Sequence, residues 1–143
     1  MDYNRLVKDL NGLSSNEFLE KISVDFHVEL CDSPVKPFQK GTMGMYLEEK
    51  WYELKIKEDK LSTDIVKNLD VSLLQDFILQ PVLGIKDVRT DNRIDFVGGI
   101  RGLEELEKRC KEDMTIAFSM YPTSAEELMN ISDEQKLMPP KST

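Results

Sequence analysis

The residues best suited to chemistry lie between positions 89 and 102, which read Arg-Thr-Asp-Asn-Arg-Ile-Asp-Phe-Val-Gly-Gly-Ile-Arg-Gly. Arg93 and Arg101 flank a Gly98-Gly99 pair, with Asp95 between them. Backbone N–H groups presented by a paired-glycine turn at the positive end of a following helix, beside two guanidinium groups, suit a phosphate or a carboxylate. Arg93, Asp95, Gly98, Gly99 and Arg101 are therefore the candidate anion-binding residues. A tight strand-to-helix connection needs the same glycines, so the motif serves either purpose. It is not a Walker loop, lacking the Gly-Lys-Ser/Thr ending, and it is not Gly-x-Gly-x-x-Gly.

Other chemistries find less material. Asp91 and Asp95 on one strand would share a face but sit roughly 13 Å apart, too far to share one ion. Asp95 is expected instead to pair with Arg93 or Arg101. His27 is the only histidine, so a His/Cys zinc site lacks ligands, and it reads as a solvated strand residue. Cys31 and Cys110 match no CxxC pattern and read as buried reduced thiols. Ser119, Tyr121 and Ser124 have no marked base beside them, so no catalytic residue and no metal ligand is assigned. The residues do not identify a cofactor.

The elements that position these residues follow from composition and periodicity. A chain of 143 residues is expected to form a single domain spanning 1–143. Its apolar runs are too short to span a bilayer, so no membrane partner is expected. A formal net charge of -8 disfavours direct nucleic-acid binding by this segment. The start, Met-Asp-Tyr-Asn-Arg, has no apolar signal core, and a cytoplasmic setting is expected.

Tyr3 to Val7 reads as a short strand of irregular pattern ending at the Asn11-Gly12 turn. Ser14 and Glu17 form a capping box that opens a helix with Phe18, Leu19 and Ile22 on one face. Phe26, Val28 and Leu30 alternate as a strand. Residues 42–47 and 51–57 form a hairpin around Glu48-Glu49-Lys50, with Trp51 expected to pack on Met43 or Met45. Asp70 is expected to cap a central helix bearing Leu73, Leu74, Phe77 and Ile78, which ends at Pro81, with Gly84 closing the turn. Ile94, Phe96 and Val97 form a strand, and Leu103, Leu106 and Cys110 face inward from the next helix, with Glu105 set to pair with Arg109. Met114 to Met120 alternate as a last strand, and Thr123 with Glu126 caps a further helix. The sum is an α+β fold: a mixed, mainly antiparallel sheet with about four helices packed on it.

Five segments also carry a family resemblance: Tyr-Asn-Arg-Leu-Val-Lys-Asp-Leu at 3–10, Leu-Asp-Val-Ser-Leu-Leu-Gln at 69–75, Arg-Ile-Asp-Phe-Val-Gly-Gly-Ile-Arg-Gly at 93–102, Ala-Phe-Ser-Met-Tyr-Pro-Thr-Ser at 117–124 and Met-Pro-Pro-Lys-Ser-Thr at 138–143. With these the chain resembles the prokaryotic ParB-like or SpoOJ-like domain-of-unknown-function family (1015). Full members of that family are longer, with an Ala-Asp-Gly-His-His-Arg-like segment upstream and a Trp-Phe-x-Pro-Lys tail, neither of which this chain contains. The resemblance thus implies an excised C-terminal domain whose partner is the missing N-terminal domain of the same protein, with a small anionic ligand between them. It further implies a substrate-side or regulatory domain of a nucleotide-dependent enzyme, inactive alone. The alternative it implies is a non-catalytic interaction domain of a ParB-like DNA-associated protein.

Overall fold

The computed structural model describes residues 3–37, 39, 41–61, 63, 68–98 and 102–121. Its strands are β1 (Tyr3–Val7), β2 (Phe26–Cys31), β3 (Thr42–Leu47), β4 (Lys50–Ile56), β5 (Ile94–Gly98) and β6 (Ile116–Ser119). They form one six-stranded sheet in the order β2-β4-β3-β6-β1-β5. The α+β class is as expected, but each strand pairing is antiparallel, so the sheet is not mixed. Three α-helices occur among the described residues, not about four: α1 (Ser15–Ile22), α2 (Asp70–Leu74) and α3 (Leu103–Glu112). The helix expected after Thr123 lies outside the described residues.

The sheet has an apolar layer on each face, and this explains the irregular pattern of β1. Val7 faces the larger core with Phe18, Ile22, Phe26, Met43, Met45, Leu54, Leu74 and Phe118. Leu6 faces a smaller core with Tyr46, Trp51, Val97 and Leu106 under α3. Asn4, Arg5, Leu6 and Val7 are all buried, so no polar alternation survives in the sequence. Asn4 is satisfied by accepting from the Met120 N–H at 2.9 Å.

Local signals hold where they concern neighbours. At α1 the Ser14 hydroxyl accepts from the Glu17 N–H (3.2 Å), and the Glu17 carboxylate accepts from the Ser14 N–H (3.0 Å), completing the capping box. Asp70, by contrast, does not cap α2. Leu69 occupies that position, and the Asp70 carboxylate reaches across to accept from the Gly41 N–H at 2.8 Å. Its carboxylate thus ties the start of α2 to the start of β3.

Trp51 also departs from expectation. Met43 and Met45 point into the larger core, whereas Trp51 lies on the other face, tilted against Tyr46 with ring centroids 5.2 Å apart. Its indole N–H donates to Glu107 on α3 at 2.9 Å.

The β3–β4 connection is a two-residue turn of Glu48 and Glu49, both at positive φ (51° and 63°), with Leu47 paired to Lys50. This left-handed geometry favours Asn-Gly and costs other residues about 1 kcal/mol or more each. Replacing Glu48-Glu49 by Asn-Gly should therefore stabilise the fold by about 1–2 kcal/mol, read as a higher urea midpoint with unchanged slope. A lower midpoint would show that the two glutamates make contacts worth more than the strain.

Candidate functional site: a cationic pocket beside β1

Arg93 and Asp95 are held by different partners. Arg93 sits in the turn before β5, where its guanidinium meets Asp91 at 3.1 Å and Asp9 at 3.4 Å. Its carbonyl accepts the Lys8 N–H at 2.8 Å, so Arg93 brackets the end of β1 to the start of β5. Asp95 accepts from Arg109 of α3 at 2.8 Å, rather than from Arg93. Arg109 also grips Asp113 at 3.1 Å, a turn further along and not the expected Glu105. Gly98 ends β5 opposite Tyr3, while Gly99 and Arg101 lie outside the described residues. Gly102, at φ 78°, precedes the first residue of α3.

These ion pairs set an acid limit on stability. The Arg93 guanidinium holds the Asp91 carboxyl below the usual carboxylate range, and Arg109 does the same to Asp113. A carboxyl depressed in the folded state contributes stability that is present above its unfolded pKa of about 4 and is lost as pH falls through the folded value. Unfolding free energy should therefore decline below about pH 4. Asp91→Asn should cost on the order of 1 kcal/mol at neutral pH and flatten part of that acid limb, as measured by thermal unfolding across pH. An unchanged acid limb in Asp91→Asn would remove the ion pair from the explanation.

Arg5, Lys86 and Arg89, by contrast, line one cavity together. Arg5 lies on β1 opposite Phe96 of β5 and Phe118 of β6, so its side chain emerges on the face covered by α2. It is 3% exposed, with its guanidinium carbon 5.3 Å from the centre of the Phe96 ring. Burial pushes its pKa down to about 10, which leaves it charged at neutral pH. It lines a cavity of about 300 Å³ with apolar walls of Val71, Leu79 and Val88 and polar walls of Gln75, Lys86, Asp87 and Arg89.

The path of the chain after α2 builds this cavity. The helix continues from Gln75 to Leu79 with a wider turn, in which the Gln80 N–H reaches the Gln75 carbonyl at 3.0 Å. Pro81 and Gly84, at φ 72°, end it where the sequence predicts. The Gln75 side-chain amide then donates to the Ile85 carbonyl at 2.9 Å and pins the returning segment against the helix. Asp87 closes the next turn by accepting the Arg89 N–H at 2.9 Å, and that bond holds its carboxyl below the usual range. Three cations against one carboxylate make the pocket locally positive in an otherwise acidic protein.

Arg5 is not legible as a site residue in the sequence, because an arginine inside a short strand gives no sign of which residues cover it. The nearest signal was the run of polar and turn residues at 84–93 following the central helix. His27 is solvent-exposed on β2, as expected. Cys31 and Cys110 are free but only partly buried against the smaller core, and burial pushes the Cys110 thiol up to about 12. No helix among the described residues is long and apolar enough to cross a membrane.

Fold and pocket together define an α+β domain with a six-stranded antiparallel sheet and a cationic pocket on one face. The sequence model of the family described as "Protein of unknown function (DUF1015)" matches residues 1–72, half of the chain, and the chain belongs to that family. The match contains Arg5 and Val71 of the pocket, while Lys86 and Arg89 lie beyond it. No curated protein and no solved structure gives a significant match.

Proposed function

We propose that this chain is the ligand-holding domain of a longer cytoplasmic protein, in which the pocket at Arg5 receives the carboxylate or phosphate of a small molecule. The supporting observation is a guanidinium buried within the sheet face and lining a cavity that also contains Lys86 and Arg89. At about 300 Å³ the cavity is at the small end of ligand sites and suits a compact anion with a short apolar body. The resemblance to ParB-like proteins extends the proposal to a C-terminal, substrate-side or regulatory domain of a nucleotide-dependent enzyme, inactive until the N-terminal domain completes the cleft. In this reading Gly98, Gly99 and Arg101 form a second anion-binding edge, whereas Arg93 and Asp95 position β5 through their ion pairs.

Inorganic phosphate titrated into the isotopically labelled chain should shift the backbone amide signals of residues 86–89 saturably. Arg89→Ala, at an exposed position, should weaken that binding about tenfold without moving the unfolding midpoint. Absence of a saturable shift, or parental affinity in both the Arg89→Ala and Lys86→Ala variants, would remove this function. The alternative, a non-catalytic domain of a DNA-associated protein, rests on the same resemblance and is opposed by the formal net charge of -8. It requires a salt-dependent DNA mobility shift by the longer protein, and no shift would end it.

A further inference from the structure

Strand β2 is one edge of the sheet, and its backbone is set to take another strand. The Lys57 N–H donates to the Asp25 carbonyl, and β2 runs in unbroken register with β4 from Phe26 opposite Ile56 to Cys31 opposite Trp51. Hydrogen-bonded pairs alternate along an antiparallel ladder, so His27, Glu29 and Cys31 turn their N–H and carbonyl groups to β4. Phe26, Val28 and Leu30 turn theirs outward, and no hydrogen bond among the described residues takes them up. Natural edges are commonly blunted by proline, lysine or a bulge, and β2 has none of these. The opposite edge, β5, is protected, because the outward N–H of Phe96 donates to the Asp95 carboxylate at 2.8 Å.

The side chains choose the partner. On one face of the edge His27 lies opposite Lys55, and Glu29 lies opposite Glu53. The edge therefore has a basic end and an acidic end. Like charges directly opposite each other destabilise a sheet, so Glu29 and Glu53 are relieved by a donor brought alongside. A second copy of the chain, turned end for end about Val28, brings one. Its His27 and Lys55 fall beside Glu29 and Glu53, and the reverse, while Val28 meets Val28 and Phe26 meets Leu30. This register uses every outward backbone group of the strand, in about six hydrogen bonds. Centring the axis on His27 or Glu29 instead sets like residues against each other and uses fewer. On the other face Leu30, 59% exposed, gains an apolar neighbour in Phe26 of the second copy, whose ring belongs to the larger core.

We propose that this chain forms a symmetric dimer through β2, the two sheets joining into one continuous antiparallel sheet with His27 of each copy beside Glu29 of the other. The join does not involve the Arg5 pocket, so the two can be tested independently.

Sedimentation of the full chain at pH 7 and low ionic strength should show a monomer–dimer equilibrium between about 1 µM and about 1 mM, weak because one strand pairing buries less than a standard interface. His27→Glu and Glu29→Lys should each weaken the dimer about tenfold. Each also places opposite charges across β2 and β4, so the thermal midpoint should hold or rise. Mixed in equal amounts, the two variants should form a heterodimer about as tight as the parental dimer, since acid then meets base at both sites. Leu30→Pro, which removes an outward N–H and no bond to β4, should abolish dimerisation. A monomer throughout that range, parental affinity in either charge variant, a mixture no tighter than its components, or a dimer retained in Leu30→Pro would overturn the proposal.

Discussion

Gly44→Ala should destabilise the protein by about 3 kcal/mol or more, among the largest effects expected from adding one methyl group here. Gly44 lies on β3 where the segment after β2 crosses the sheet. A Cβ at this position would collide with the Ser119 hydroxyl and, more seriously, with the Val35 carbonyl. Those two atoms are already joined, the Ser119 hydroxyl donating to the Val35 carbonyl at 2.6 Å. The hydroxyl can rotate, but the carbonyl is backbone and can yield only if the whole crossing segment lifts. Ser119→Ala alone should cost about 1 kcal/mol for the lost hydrogen bond. Combining it with Gly44→Ala should recover little, because the backbone collision remains. Urea unfolding of the two single variants and the double variant decides the matter. A Gly44→Ala cost below about 0.5 kcal/mol would mean that the crossing segment is not fixed by this contact.

The second large effect concerns Trp51. Trp51→Ala should cost about 3–5 kcal/mol, since it empties the middle of the smaller core on which α3 rests. The residue is 4% exposed, packs against Tyr46 and bonds to Glu107, so truncation removes both the apolar contact and the tie between β4 and α3. Trp51→Phe separates the two contributions. It keeps most of the ring area and loses the indole N–H, leaving partly exposed Glu107 free to bind water, for a cost nearer 1 kcal/mol plus some repacking. Equal losses in the two variants would shift the weight from packing to the hydrogen bond. Hydrogen exchange should show α3 losing protection first in Trp51→Ala, because its other main anchors are Leu106 and the Arg109–Asp95 pair.

Periodicity and caps made much of this fold legible. Ser14 and Glu17 announce α1 because both partners of a capping box lie within one helical turn. Pro81 and Gly84 mark the end of the central helix because proline and positive φ act on the local backbone. The inward face of α3, with Leu106 fully buried and Leu103 and Cys110 beside it, follows from helical spacing alone. Strand β5 and the β3–β4 hairpin are visible for the same reason.

What the sequence alone determined, then, is the type of most described elements and, for α1 and α3, the side turned from solvent. Tertiary structure decided which element lies against which. It placed β1 between β6 and β5 and buried it on both faces. It turned Trp51 away from the methionines toward Tyr46, and gave Asp95 to Arg109 while Arg93 went to Asp91 and Asp9. It also brought Arg5 to a cavity shared with Lys86 and Arg89, which lie some eighty residues further along the chain. The physical reason is range: caps, turns and amphipathic periods are set by interactions within a few residues, whereas an ion pair or a pocket depends on strand order and register across the whole sheet.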